Sequence, residues 1–144
     1  MDPFQKIHHP SERPLVTWLR RLSPASLTIP TREQWRIIAG AALGILLTGW
    51  LSQWLAPANT AWLIAPVGAS AVLVFGVPSS PLAQPWSVVG GNTLSALVGT
   101  ACALSIPDTS LAAALAVSLA IGTMLLARCL HPPGGAAALL VVLS

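Results

Sequence analysis

From residue 37 onward the chain is a succession of apolar runs separated by short stretches rich in proline, glycine and polar residues. A helix crossing a bilayer needs about 20 apolar residues at about 1.5 Å of rise each. Residues 37–56 (IIAGAALGILLTGWLSQWLA) predict a first span, and Pro57-Ala58-Asn59 a turn. Residues 60–77 predict a second span, interrupted by Pro66 and Gly68, before the uncharged segment PSSPLAQP at 78–85. Residues 86–106 and 110–130 predict the third and fourth, with Pro107-Asp108-Thr109 between them. His131-Pro132-Pro133-Gly134-Gly135 then breaks the chain, and the nine apolar residues 136–144 are too short to cross. The predicted fold class is therefore all-α: a polytopic transmembrane helical bundle of four full spans plus a partial fifth. A bare helix end finds no backbone partners in lipid, so the partial run is read as a span truncated at the C-terminus.

Composition and charge sharpen that picture. Hydrophobic residues make up 54% of the 144, charged residues 8%, and the mean hydropathy is +0.74. A soluble domain is about 25% charged and could not cover its core with so little polar surface. A soluble globular domain, a disordered chain and a nucleic-acid binder are excluded. Nine of the eleven charges precede residue 37. Lys6, Arg13, Arg20, Arg21, Arg32 and Arg36 make residues 1–36 a basic tail, which the positive-inside rule places in the cytoplasm. The transmembrane domain is then 37–144, multi-pass in the inner (plasma) membrane, with anionic headgroups within reach of the tail. With this orientation Asp108 faces outside and Arg128 inside. Trp35 and Trp86 fall at the inner interface, and Trp50, Trp54 and Trp62 near the outer one, as aromatic belts do. No cleavable signal peptide precedes the first run.

Several residues carry candidate chemistry. Pro66–Val74 laid over Pro133–Val141 matches six of nine positions at an offset of 67. The two copies lie on oppositely directed paths through the predicted topology, making a candidate inverted repeat, with shared helix-packing composition as the plain alternative. Proline ends a helix, and a restarted helix presents amide hydrogens and a partial positive charge, a site for an anion without a charged side chain. Gly68, Gly134 and Gly135 equally serve close helix packing. Polar groups inside a bilayer are expensive, which singles out Ser70, Asn92 and Thr93, while Ser79, Ser80 and Gln84 occupy the proline-rich segment. Gly91, Ser95, Gly99 and Ala103, and Gly40 with Gly44, read as packing seams. His131 is suited to proton-linked work or to capping a helix, and Arg128 to attracting an anion or to snorkelling. Cys102 and Cys129 fall in apolar runs without metal-ligand spacing. No cofactor and no metal are called for, and too few titratable groups converge for catalysis.

The segment Leu130-His131-Pro132-Pro133-Gly134-Gly135-Ala136 resembles the signature of the HPP family of integral membrane proteins. Residues 65–99 (APVGASAVLVFGVPSSPLAQPWSVVGGNTLSALVG) resemble that family's other characteristic stretch. The likeness covers roughly residues 33–144. It implies a helical membrane protein, and some members, in cyanobacteria and plastids, are implicated in nitrite transport. The function expected from residues and resemblance together is a permease for a small anion, nitrite or a similar oxyanion. Its expected substrate-binding residues are Pro66, Gly68, Ser70, Ser79, Ser80, Asn92, Arg128, His131, Pro132, Pro133, Gly134 and Gly135. The alternative is a non-transporting structural or regulatory membrane subunit; association into a homo-oligomer suits either.

Overall fold

Helices follow the apolar runs, and their ends follow the prolines and the few charges. The structure, a computed structural model, describes residues 29–55 and 65–144. The basic tail to residue 28, the turn at 57–59, residues 60–64 and Trp62 lie outside the described residues. Five α-helices are described: α1 Thr31–Leu55, α2 Ala65–Gly76, α3 Pro85–Ser105, α4 Thr109–Leu126 and α5 Pro132–Leu143. A short 3₁₀ turn, Pro81–Ala83, lies between α2 and α3. No strand occurs among the described residues.

Three of these helices, α1, α3 and α4, are long and apolar enough to cross a membrane. At 25, 21 and 18 residues they rise about 37, 31 and 27 Å. The expected second span is described as only the 12 residues of α2, about 18 Å, against a hydrocarbon layer of about 30 Å. Of the four expected full spans, three are thus long helices among the described residues, and the second is described only from Ala65 onward. Helix α1 begins six residues before the expected boundary, because Thr31–Arg36 continue the helix into polar surroundings and Arg36 pairs with Glu33 at 2.8 Å. Helix α5 also starts early. Pro132 and Pro133 form its first turn, where a missing N–H costs nothing and the fixed φ suits the helix, so the proline pair opens a helix instead of separating two.

Helix α3 is the centre of the bundle, packed against both α4 and α5, while α5 also touches α2, and α2 carries α1. A Cβ on Gly99 would sit 2.6 Å from the Ala138 carbonyl oxygen, and one on Gly134 2.7 Å from Ser95 Oγ. Only small residues permit such an approach, the way helices associate in lipid. Gly91 beside His131, Ser95 beside Gly134 and Gly99 beside Ala138 show that α3 and α5 run parallel. The expected seam is corrected at its end: Ala103 is exposed, and Cys102 is buried against Ala116, Ala120 and Ala138. A strict four-residue step drifts around a helix of 3.6 residues per turn, so the seam steps back by three. Gly40 and Gly44 lie under the Phe75 ring, with Cβ positions 2.7 and 3.0 Å from it. Helix α1 otherwise shows its side chains outward, with 6% of its apolar window buried. Hydroxyls on the outward faces fold back on their own helix, as Thr48 to Gly44 O, Ser118 to Ala114 O and Thr123 to Leu119 O, each 2.8 Å. Such bonds leave no polar group unpaired in lipid.

Candidate functional site

Four elements meet at His131, which is wholly buried. It is the residue before α5, with extended backbone (φ −140°, ψ 105°), so its ring projects from the end of a helix into the bundle. Its Nδ1 lies 2.8 Å from the Leu82 carbonyl oxygen of the 3₁₀ turn. A carbonyl only accepts, so Nδ1 carries the proton and donates it. In the neutral ring Nε2 is left as an acceptor, and Ser70 Oγ of α2 stands 2.9 Å away, its hydroxyl donating. Asn92 of α3 donates from Nδ2 to Val88 O at 2.9 Å and makes a longer 3.5 Å contact to Ser70 Oγ. Asn92, Ser70, His131 and Leu82 thus form one directed chain of hydrogen bonds across α3, α2, the start of α5 and the 3₁₀ turn.

Two buried side-chain atoms have no hydrogen-bond partner among the described residues: Asn92 Oδ1 and Ser95 Oγ. Both lie on α3, one turn apart or less. An unmade hydrogen bond of this kind costs about 1–3 kcal/mol. The close approach that sets the cluster depends on Gly91, where a Cβ would come 2.6 Å from His131 Cβ and 2.8 Å from the Cys129 carbonyl oxygen.

Arg128 lies just past the end of α4 and is exposed. Cys129 N–H donates to Met124 O at 2.9 Å and Arg128 N–H to Leu125 O at 3.2 Å, the pair of bonds that closes a Schellman motif. Glycine usually takes the left-handed position in that motif; here Arg128 does, at φ 54°. The helix consequently ends four residues before the expected end of the fourth span. Arg128 borders a cavity of about 190 Å³ with Pro81, Leu82, Ser87, Met124, Leu125 and Leu130. Leu82 is shared: it lines the cavity, and its carbonyl holds the His131 ring.

The remaining expected site residues divide. Pro66, Pro133 and Gly134 are buried, Gly135 is half-buried, and Gly68, Pro132 and Ser79 are exposed. Ser80 caps the 3₁₀ turn, accepting from Leu82 N at 3.2 Å. The structure therefore brings Ser70, Asn92, His131 and Gly134 to one place, leaves Arg128 on a neighbouring cavity that shares Leu82, and gives Ser80 a supporting role. It also changes the source of polarity at the second break. Pro132 and Pro133 have no N–H, and Gly134 N–H donates to His131 O at 2.8 Å, so the expected free amides there are replaced by side-chain groups. Leu82 contributes through its backbone, which no side-chain pattern marks. Ser95 is legible in sequence only as a small seam residue.

Buried polar groups within a bundle of long apolar helices define an integral membrane protein. The family model for the HPP transmembrane region matches residues 26–144, and the chain belongs to the HPP family. It is 48% identical over 90 residues to a transmembrane protein of Dictyostelium discoideum, covering 60% of this chain and 29% of that protein. A second transmembrane protein of the same organism is 49% identical over 85 residues, 56% of this chain and 30% of its own length. The chain thus spans less than a third of the length of these relatives. No solved structure matches it.

Proposed function

We propose that the protein is a membrane permease for a small anion, nitrite or a similar oxyanion, whose pathway passes the Ser70–Asn92–His131 cluster. The observation that carries this reading is a wholly buried histidine, held by two hydrogen bonds, beside unpartnered polar atoms in a bundle whose described charges all lie at helix ends. Polar groups left unpaired in lipid cost several kcal/mol, and those a membrane bundle keeps inside mark functional positions. The six matching positions of Pro66–Val74 and Pro133–Val141, at an offset of 67, support an inverted repeat. The N-terminus is placed in the cytoplasm and the protein in the plasma membrane on the basic tail. Arg128, bordering its cavity, draws the anion to the mouth on the tail's side.

A second reading, a non-transporting structural or regulatory membrane subunit, draws support from the tight fit of Gly91 and Gly134 around His131 and Ser95. Nitrite uptake into liposomes holding the full chain separates the two. The permease reading expects uptake above protein-free vesicles, reduced at least tenfold by Asn92→Ala and by His131→Gln. Uptake that survives both, and Arg128→Ala as well, would defeat this choice of pathway; no uptake at all favours the subunit.

A further inference from the structure

A small anion cannot enter a low-dielectric layer alone, since an isolated charge there costs several kcal/mol or more. A counter-charge must come from the protein or travel with the anion. The described charged side chains are Arg32, Glu33, Arg36, Asp108 and Arg128, all at or beyond helix ends, and all but Glu33 exposed. Inside the bundle the ionisable side chains are His131, Cys102 and Cys129, all buried. A cysteine can gain only negative charge. Among the described residues, His131 is left as the one buried group that can become a cation.

Resting on the permease reading, we propose that His131 Nε2 is the proton site of an electroneutral carrier: one proton binds there with each anion and leaves with it. The geometry fits that step. Leu82 O holds the Nδ1 proton in place, so an added proton has one position to take, Nε2. Before protonation Ser70 O–H donates to Nε2 at 2.9 Å. After it, Nε2–H donates to the Ser70 oxygen, and the Ser70 hydroxyl proton turns away from the ring. That hydroxyl then becomes a donor for the anion. The Nε2–H bond forms with a proton taken from water on one side and breaks when that proton returns to water on the other, and no other covalent bond changes.

The groups facing His131 leave its charge without a competing partner in the empty site. Helix α2 brings Ser70, the 3₁₀ turn a carbonyl, and α3 Gly91 and Asn92. Beside Gly91 and Gly134 lies Met124 of α4, and the α4–α5 link brings the Cys129 carbonyl oxygen by Gly91 and Arg128 at the surface. None is a carboxylate. The imidazolium is balanced only when an anion is bound, and the anion only when the imidazole is protonated. Each therefore binds tightly only with the other, as linkage requires.

Vesicles holding the full chain and a pH-sensitive dye, given an inward nitrite gradient, test this directly. Protein-free vesicles subtract the unaided passage of nitrous acid. One proton should enter per nitrite, and clamping the membrane potential should not change the rate. His131→Gln, which keeps a hydrogen-bonding side chain but cannot carry the proton, should abolish both movements. Should that variant fail to fold, ¹⁵N-imidazole spectra of the chain with His8→Gln and His9→Gln serve instead. Nitrite added at fixed pH should then protonate Nε2 of His131. Nitrite uptake without proton entry, or no change at His131 on adding nitrite, overturns the coupling and leaves the permease standing. Absence of any nitrite uptake overturns the permease and the coupling with it.

Discussion

At the scale of single residues, Arg128 shows how much a conformation can cost and what it secures. A non-glycine residue in the left-handed region carries a penalty of about 1–2 kcal/mol, and Arg128 sits there at φ 54°. Its positive charge at the end of α4 recovers about 0.3–1 kcal/mol from the helix dipole, so the position is not optimised for stability. Stored strain of this kind collects at functional positions, and here the turn it creates leads straight into His131. Arg128→Gly should be about 1 kcal/mol more stable than Arg128→Ala in thermal unfolding in detergent, because both lack the charge and only glycine relieves the backbone. Both should slow nitrite uptake alike. Equal stabilities would show that the left-handed turn is not populated in the folded protein.

Among elements, the glycines separate into those that other helices need and those they do not. A Cβ at Gly99 would fall 2.6 Å from Ala138 O and 2.9 Å from its Cα, backbone atoms that cannot step aside. Gly99→Ala should therefore destabilise the α3–α5 contact by about 1–3 kcal/mol. Nothing lies within 4 Å of a Cβ at Gly68, so Gly68→Ala should be neutral or stabilise α2 by up to about 1 kcal/mol. Unfolding both variants in detergent checks the pair, and the reverse order would mean that α3 and α5 do not meet along Gly91, Ser95 and Gly99. This contrast also marks the limit of what the chain discloses on its own. A four-residue spacing of small residues announces that a seam exists, and the apolar runs announce both ends of α3, the end of α1 and the start of α4 to within one residue. Neither tells which helix fills the seam, so the pairing of Gly91 with His131, parallel along α5, needed coordinates. The polar residues Ser70, Asn92 and His131 stand out by their cost in lipid. Leu82 does not, because its part is played by a carbonyl that every residue possesses. Pro132-Pro133 are ambiguous for a physical reason: proline stops a helix from within and starts one from the N-terminus, and only the fold decides between them.

The whole molecule has two ends of different character. Glu33, Arg36 and Ile37 of α1 meet Val74, Phe75 and Pro78 after the chain reverses, so the start of α1, the end of α2 and the 3₁₀ turn share one end. The start of α3 and the end of α4 join them there, with Trp86 Nε1 donating to Ala127 O at 3.1 Å. Arg32, Arg36 and Arg128 all belong to that end, while Asp108 caps α4 at the other, accepting from Leu111 N at 2.7 Å. Trp50 and Trp54, paired edge-to-face at 5.9 Å, lie far along α1 from Trp35. Such segregation is what a fixed orientation in the bilayer produces, and it makes a topology measurement decisive. Cys102 and Cys129 are buried and should stay silent toward a membrane-impermeant maleimide. Ser110→Cys and Ser79→Cys, both at exposed positions, place a thiol at opposite ends. In intact cells Ser110→Cys should label at once and Ser79→Cys only after the membrane is opened. The opposite result would turn the molecule over and put the Arg128 cavity outside, making it the entrance for anions arriving from the medium. Immediate labelling of both would mean that residues 79 and 110 do not lie on opposite sides of the bilayer. His131 would then lack the separation of two aqueous sides that a coupled carrier requires.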